Sequence, residues 1–300
     1  MYYPYNLIVV EPKINKWKIF IVVLIVLVII LLSIYGGIKY AKYIENKKFE
    51  QQLQKEQEQK EEQKKIEEEK EAKRLKNSKP LTQEQMGAIE NIYTSEEKRV
   101  FLTFDDGPTT SVTPFILDLL KEENIKATFF VLGNRAKSNP DLIKREFEEG
   151  HYIANHGYTH KYSSIYTNSQ TVLDEYNYTE GCIQDALQNP DYHSRVFRFP
   201  GGSVGGYYKN IKMEAKGYLR QNGIVSLDWN SLSKDAEGAK TKEMLLQNVI
   251  DTVGNKQSVV ILMHDAADKI LTYETLPSVI QYLRENGYSF KNLYDILGDG

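Results

Sequence analysis

Residues 99–107 read RVFLTFDDG, an apolar, β-rich run that ends on two carboxylates and a glycine. Such a run predicts a strand that is buried on both faces, as in a parallel sheet. The chain beyond it alternates short β-rich runs with amphipathic helical stretches, which predicts βαβ units. We predict strands at 99–104, 127–132, 152–154, 196–199, 224–229 and 258–263, and helices at 113–123, 141–149, 171–188, 209–222, 242–253 and 276–286. Six or seven such units favour a barrel over an open sheet.

Polar clusters follow five of these predicted strands. The clusters are Asp105–Gly107, His156–His160, Arg198–Gly202, Asp228–Asp235 and His264–Asp265. Any one of them could be a turn, but five at corresponding positions of successive units are difficult to explain as turns alone. Because functional groups of a barrel gather at the C-terminal ends of its strands, the sequence predicts a site there.

Two of the clusters contain potential metal ligands. Of two adjacent aspartates, one can bind a cation while the other stays free as a base. Taken on their own, however, Asp105 and Asp106 are better explained by an Asp-Gly-Pro turn. His156 and His160 are four residues apart, and on a helical turn both rings would face one ion; surface pairs at this spacing are also frequent. One carboxylate and two imidazoles form the open three-ligand set of a catalytic site. Zn²⁺ is our first choice, and Co²⁺, Mn²⁺ or Ni²⁺ would fit the same ligands.

The remaining clusters offer acid–base groups. Hydrolysis needs a base for the water proton and an acid for the leaving group, so the unused aspartate and His264 are candidates. Arg198 could hold the base in place, and a backbone N–H near Gly201 could meet an oxyanion. The alternatives are a satisfied core histidine for His264 and a structural ion pair for Arg198.

In this order, the clusters resemble the motifs of the polysaccharide deacetylases of carbohydrate esterase family 4, the NodB-homology domain. TFDDG at 103–107 matches the first motif in full, NHGYTH at 155–160 the second in its two histidines, RFPGG at 198–202 the third in Arg and Pro, and LMH at 262–264 the fifth. The resemblance covers about residues 97–295. It implies a distorted (β/α)7 barrel, an α/β fold, within a deacetylase domain at residues 81–300.

The resemblance also implies roles for single residues. The implied roles are Asp105 as catalytic base, Asp106, His156 and His160 as metal ligands, Arg198 as the residue that orients Asp105, His264 as general acid, Leu262 as part of the acetyl pocket, and the Gly201 N–H as oxyanion donor.

Two departures from the family pattern stand out. Gly201 occupies the position after the proline where an aromatic is usual, which removes a side-chain wall from the groove. The fourth motif aligns best with WNSLSKDA at 229–236, which makes Asp235 the carboxylate that tunes the acid and puts Ala236 where Trp is expected. Asp228-Trp229 is a competing alignment, and we take Trp229 as a substrate-binding residue.

The N-terminal part of the chain differs in composition. Residues 19–38 carry no charge and are long enough to cross a bilayer as one helix. A cleaved signal peptide would have a shorter apolar core and an A-x-A exit, whereas residues 34–40 read IYGGIKY. We therefore predict a retained membrane anchor at 19–38, preceded by a cytoplasmic tail at 1–18.

A charged segment, residues 39–80, separates the anchor from the predicted domain. Residues 45–79 contain 11 Lys or Arg and 10 Glu, and their few apolar residues do not repeat in heptads, which argues against a coiled coil. Glu56–Lys60 and Glu61–Lys65 are i,i+4 pairs that favour a solvated helix. We predict a helical stalk, with a disordered tether as the alternative, ending at Pro80.

The charge balance narrows the function. The net charge is −3 with no basic stripe, which argues against nucleic-acid binding.

The leading hypothesis is a single-pass cell-membrane protein whose extracellular domain removes N-acetyl groups from peptidoglycan. Lysines on both sides of the anchor leave the orientation undecided by charge. The alternatives are a deacetylase of chitooligosaccharide, exopolysaccharide or acetylxylan, and a non-catalytic wall-binding protein.

Overall fold

The structure, a computed structural model, describes residues 16–75 and 77–298. Its contacts divide the chain into two compact units, Met1–Lys70 and Glu71–Gly300. Most of the predicted cytoplasmic tail, residues 1–15, lies outside the described residues.

The first unit contains most of a single long helix, α1, which spans Lys16–Leu75. By length and composition its apolar part could cross a membrane, a test that a signal sequence near the N-terminus also passes. The charged segment continues as helix to Leu75. Of the two conformations that the sequence left open for residues 39–75, the structure has the helix, in which Lys64 and Glu68 form an exposed i,i+4 pair at 3.5 Å.

The second unit alternates strands and helices. In chain order its elements are α2 (Gln83–Glu90), β1 (Arg99–Asp105), α3 (Thr113–Glu122), β2 (Thr128–Val131), α4 (Gly133–Ser138), α5 (Pro140–Glu148), β3 (Tyr152–Asn155), α6 (Tyr162–Ile165), α7 (Ser169–Leu187), β4 (Val196–Phe197), α8 (Lys209–Gln221), β5 (Val225–Ser226), β6 (Ser231–Leu232), α9 (Lys242–Val253), β7 (Ser258–His264), α10 (Ile270–Glu285), β8 (Ser289–Lys291) and α11 (Leu293–Leu297).

All strand pairs of this sheet are parallel among the described residues, and the order is β5-β4-β3-β2-β1-β7-β6. β8 pairs with the first half of β1, at Arg99–Phe101. β5 and β6 stand at the two ends of this path, and within the described residues they do not pair with each other. The predicted distorted (β/α)7 barrel is therefore confirmed.

Alternation along β1 explains how the barrel positions its functional groups. Val100, Leu102 and Phe104 pack outward into the core beneath the surrounding helices. Phe101 packs inward with residues of the neighbouring strands. Since side chains alternate between faces, Thr103 and Asp105 also point inward, above Phe101.

Several elements differ from the sequence prediction. α10 begins at Ile270, six residues before the predicted start, and contains Pro277. Proline fits the first turn of a helix best, but seven residues of this helix, about two turns, precede Pro277. The short elements α2, α4, α6, α11, β6 and β8 were not predicted, because their runs are too short for a clear period.

The residues just before the barrel also pack against it. Asn77 is buried; its amide donates to the Tyr192 hydroxyl at 3.1 Å, and its side-chain oxygen accepts a hydrogen bond from Arg195. Its backbone carbonyl accepts from the His193 N–H at 2.9 Å. The folded unit thus includes residues upstream of Leu81.

Candidate active site

Strand register brings the predicted clusters together at one end of the barrel. Asp105, the last residue of β1, lies opposite His264, the last residue of β7. Asn155, at the end of β3, lies opposite Phe197 of β4, so the histidine cluster and Arg198 follow neighbouring strands. Because the sheet is parallel, these C-terminal ends share one edge.

Three side chains there meet as a group that could hold a metal ion. Asp106 Oδ1 lies 3.6 Å from His156 Nε2 and 3.5 Å from His160 Nε2. Ligands bound to a tetrahedral ion at about 2.1 Å would lie roughly 3.4 Å apart, so these separations fit a shared cation. Asp106 Oδ1 is also buried without a hydrogen-bond partner among the described residues, as expected for an atom whose partner is an ion.

A hydrogen bond at the other ring nitrogen fixes the orientation of His156. Its Nδ1 lies 2.7 Å from the Arg198 carbonyl oxygen, which can only accept, so Nδ1 carries the proton and Nε2 presents its lone pair to Asp106 and His160. Burial, with smaller contributions from His160 and Arg198, lowers the pKa of His156 to about 3 despite the nearby Asp106 carboxylate. The ring is therefore neutral at physiological pH, the state that binds metals.

The two histidines do not lie on a helical turn, as their spacing suggested, but on the loop that follows β3. Asp106 and His160 both have positive φ, at 75° and 57°. Non-glycine residues in this region are strained and cluster at functional sites. The loop is held by Glu175 of α7, which accepts from the N–H groups of Tyr158 at 2.6 Å and Thr159 at 2.7 Å.

Arg198 is fully buried and holds Asp105. Its Nη1 donates to Asp105 Oδ1 at 2.8 Å and to the Thr103 hydroxyl at 2.7 Å. Its Nε and Nη2 donate to the backbone carbonyls of Leu227 and Asp228 at 3.0 and 3.1 Å. The guanidinium also lies over the Phe130 ring, 3.8 Å from its centroid. Four hydrogen bonds and the contact with the ring therefore fix this buried cation in place.

Within the described residues, only Oδ1 of the Asp105 carboxylate accepts a hydrogen bond. Oδ2 faces the site, 3.6 Å from His156 Nε2. Burial raises the pKa of Asp105, although the charge and hydrogen bond of Arg198 oppose the shift. A carboxylate with a raised pKa is a stronger base than one in water.

Asp235, rather than Asp228, is the carboxylate that contacts His264. Asp235 Oδ1 lies 2.8 Å from His264 Nδ1, and Oδ2 accepts from the His264 N–H at 2.8 Å and from the Thr272 hydroxyl at 2.7 Å. Asp228 instead binds the N–H and hydroxyl of Ser203, at 2.9 and 2.5 Å. The imidazole Nε2 of His264 is thus left available for another partner.

The predicted substrate-binding residues line the same end of the barrel. Leu262 is buried on β7, beside Thr103. The Trp229 ring lies 5.6 Å from the Arg198 guanidinium and next to Gly202. The Gly202 N–H donates to the Phe199 carbonyl at 2.7 Å, whereas the Gly201 N–H has no acceptor within the described chain.

Sequence reasoning missed several residues that support this site. They are Thr103, which shares Arg198 with Asp105, Thr272, which binds Asp235, and Glu175, which holds the histidine loop. Thr103 lies inside the first motif, and its two-residue spacing from Asp105 on one strand could have revealed it. No local pattern marks Glu175 or Thr272, because their partners lie on distant segments.

The (β/α)7 barrel, together with the acid–base groups and candidate metal ligands at the ends of its strands, defines the protein as a hydrolase. Residues 93–218 match the polysaccharide deacetylase family. A peptidoglycan-N-acetylglucosamine deacetylase of Bacillus cereus is 33% identical over 224 residues, 73% of this chain and 78% of that protein. The chain belongs to the polysaccharide deacetylase family.

Solved structures agree with this assignment. A CE4 esterase of Streptococcus mutans gives a TM-score of 0.63 at 30% identity, over 73% of this chain and 97% of its own. The catalytic domain of a peptidoglycan N-acetylglucosamine deacetylase from Eubacterium rectale gives a TM-score of 0.60 at 32% identity, over 66% of this chain and 90% of that domain. The barrel is therefore of the CE4 type.

Proposed function

We propose that this chain is a metal-dependent enzyme that removes the N-acetyl group from N-acetylglucosamine in peptidoglycan. The observation that carries the proposal is the convergence of Asp106, His156 and His160 on one point, beside Asp105. The names of the Bacillus and Eubacterium relatives support the choice of peptidoglycan as substrate.

In this proposal Asp106, His156 and His160 hold Zn²⁺ or another divalent cation such as Co²⁺, Mn²⁺ or Ni²⁺. The bound cation would polarise the acetyl carbonyl and lower the pKa of the attacking water. Two imidazoles and a carboxylate suit these borderline metals. The donor set has no thiolate, which is typical of a catalytic rather than a structural site.

The protein's own groups would move the protons. Asp105, fixed through Oδ1 by Arg198, takes a proton from water at its free Oδ2. His264, held at Nδ1 by Asp235, gives a proton from Nε2 to the departing amine nitrogen. The free N–H of Gly201 would donate to the oxyanion, and Leu262 would contact the acetyl methyl group. Trp229 would contact the sugar.

The apolar part of α1 supports a retained anchor, and we infer a single-pass protein with its barrel outside the cell. Peptidoglycan lies outside the membrane, so this orientation puts the site with its substrate. The charged helical segment that follows would act as a stalk; at 1.5 Å per residue, about 35 helical residues span on the order of 50 Å.

The function is tested by acetate release from the full-length protein in detergent, with each divalent metal added. We expect acetate from peptidoglycan fragments and N-acetylglucosamine oligomers, and little from acetylxylan. Release from acetylxylan alone would move the substrate to an O-acetylated glycan. No acetate with any metal and any glycan would favour a non-catalytic wall-binding protein.

The role of His264 as general acid predicts how kcat/KM depends on pH. Burial opposes protonation of His264, but the hydrogen bond and charge of Asp235, together with Asp105 and Asp106, outweigh it and raise the pKa of His264 to about 9. The acid works only while protonated, so kcat/KM should fall as the pH rises through about 9. Asp235→Asn removes the charge that stabilises the imidazolium, so this fall should move to lower pH, with kcat reduced on the order of 10²-fold at neutral pH.

The comparison is a pH–rate profile of Asp235→Asn, Thr272→Val and the unaltered protein. Thr272→Val removes only a neutral donor to Asp235, so it should move the alkaline fall less. An unchanged profile in Asp235→Asn would rule out His264 as the acid.

A further inference from the structure

Gly201 has no side chain, yet the space beside it is filled. A Cβ atom built on Gly201 would lie 2.5 Å from the hydroxyl oxygen of Tyr162 and 3.0 Å from its Cζ. The phenol of Tyr162 therefore occupies the volume that any side chain at position 201 would need. The backbone of Gly201, at φ +72°, is also one that favours glycine. Glycine at 201 and the tyrosine at 162 thus belong to one arrangement.

Tyr162 lies between the candidate metal ligands and the Gly201 turn. It follows His160 by two residues, and the centroids of the two rings are 5.6 Å apart. On its other side it contacts Tyr166, with centroids 5.8 Å apart, and the buried Tyr166 hydroxyl donates to the Pro200 carbonyl at 2.7 Å. The Lys212 ammonium donates to the Gly202 carbonyl at 2.7 Å and lies 6.0 Å from the Tyr162 ring centroid. The ring is therefore supported from behind.

The front of Tyr162 remains open. The residue is 42% exposed, whereas Tyr166 behind it is 1% exposed. Its hydroxyl makes no hydrogen bond within the part of the chain that the structure describes. A supported aromatic face with a free hydroxyl, beside the candidate metal ligand His160, suits a ligand with an apolar face and a polar rim, which is the character of a pyranose ring.

We propose that Tyr162 is a substrate-binding residue whose ring packs against the sugar that carries the reacting acetyl group. It forms the wall of the groove that Gly201 leaves without a side chain. This inference rests on the proposed function, because it assigns the sugar contact of the same site. The ring would bind substrate and transition state alike, so its loss should raise KM and change kcat little.

The test is steady-state kinetics of Tyr162→Ala, Tyr162→Phe and Tyr218→Ala in the full-length, metal-loaded protein, with soluble peptidoglycan fragments as substrate. We expect Tyr162→Ala to raise KM about tenfold with kcat within a few-fold, and Tyr162→Phe to keep most of the affinity. Tyr218 on α8 is 43% exposed and serves as the matched control, which should behave as the unaltered protein.

Metal content and kinetics separate the outcomes. If Tyr162→Ala loses metal, or loses kcat with KM unchanged, the residue supports His160 rather than the sugar and the inference is overturned. An unchanged KM in Tyr162→Ala overturns it as well, while the unaltered protein still releases acetate. Absence of acetate from the unaltered protein would instead refute the proposed function on which the inference rests.

Discussion

Asp105→Asn should reduce kcat by about 10³-fold while the protein keeps its metal. Asparagine has the shape of aspartate, and its amide oxygen can still accept the hydrogen bond that Arg198 Nη1 gives to Oδ1. Oδ2, which faces His156, would become an amide nitrogen that cannot take a proton from water. The base is therefore removed with little change of shape.

The same substitution should lower the melting temperature. Arg198 is fully buried, and Asp105 is the carboxylate that balances its charge. A buried cation that loses its partner is costly, on the order of 3 kcal/mol. The protein should still fold, because the remaining bonds from Arg198 go to Thr103 and to two backbone carbonyls.

Acetate release, metal content and thermal unfolding together test this prediction. Metal content should match the unaltered protein, because the three candidate ligand atoms belong to Asp106, His156 and His160. Turnover by Asp105→Asn within a few-fold of the original would remove Asp105 from the mechanism. Loss of metal together with turnover would instead place Asp105 among the ligands.

Local sequence predicted the barrel and the residues at its mouth for a physical reason. A strand buried on both faces must be apolar throughout, so the polar residues at the end of such a run are conspicuous. In β1 that change occurs between Phe104 and Asp105, and in β7 between Met263 and His264. The parallel register then places the two changes side by side. The sequence thus showed where along each strand the functional residues lie, and the strand order of the sheet brings them close together.

What the sequence could not predict is which distant group each polar side chain meets. Asp228 and Asp235 are the same residue type and only seven residues apart, and only tertiary packing brings Ser203 to Asp228 and His264 to Asp235. The histidine spacing likewise suggested a helix, because i,i+4 is the helical neighbour distance. The structure reaches convergence by a loop with His160 at positive φ, and Glu175 stabilises that loop from another element.

Gly201 shows the same limit. Read from the sequence, it removes a wall from the groove. In the structure the Tyr162 hydroxyl lies where a side chain at 201 would start. The space that a missing side chain leaves can be filled by a residue about 40 positions away in the sequence, and neither periodicity nor propensity predicts this.

Asp106→Asn should abolish metal binding and activity together. Asp106 Oδ1 lies 3.6 Å from His156 Nε2 and 3.5 Å from His160 Nε2. Asp106 is the one carboxylate among these three candidate ligands. Asparagine tolerates the positive φ of 75° at this position, so the backbone should be kept. Its neutral amide oxygen binds a dication far more weakly than a carboxylate, and we expect metal affinity to fall by roughly 10²-fold or more. Without the cation, kcat should fall by about 10³-fold, since Lewis-acid stabilisation amounts to several kcal/mol.

The measurement is metal content after dialysis, followed by acetate release at rising metal concentration. Partial recovery at high concentration is expected for Asp106→Asn and not for Asp105→Asn, because only the first lacks a ligand. Asp228→Asn is the matched control, since its carboxylate lies nearby but binds Ser203, and it should keep the metal. Dialysed Asp106→Asn that holds the metal at the original stoichiometry would show that the ion, and the water it activates, are bound elsewhere.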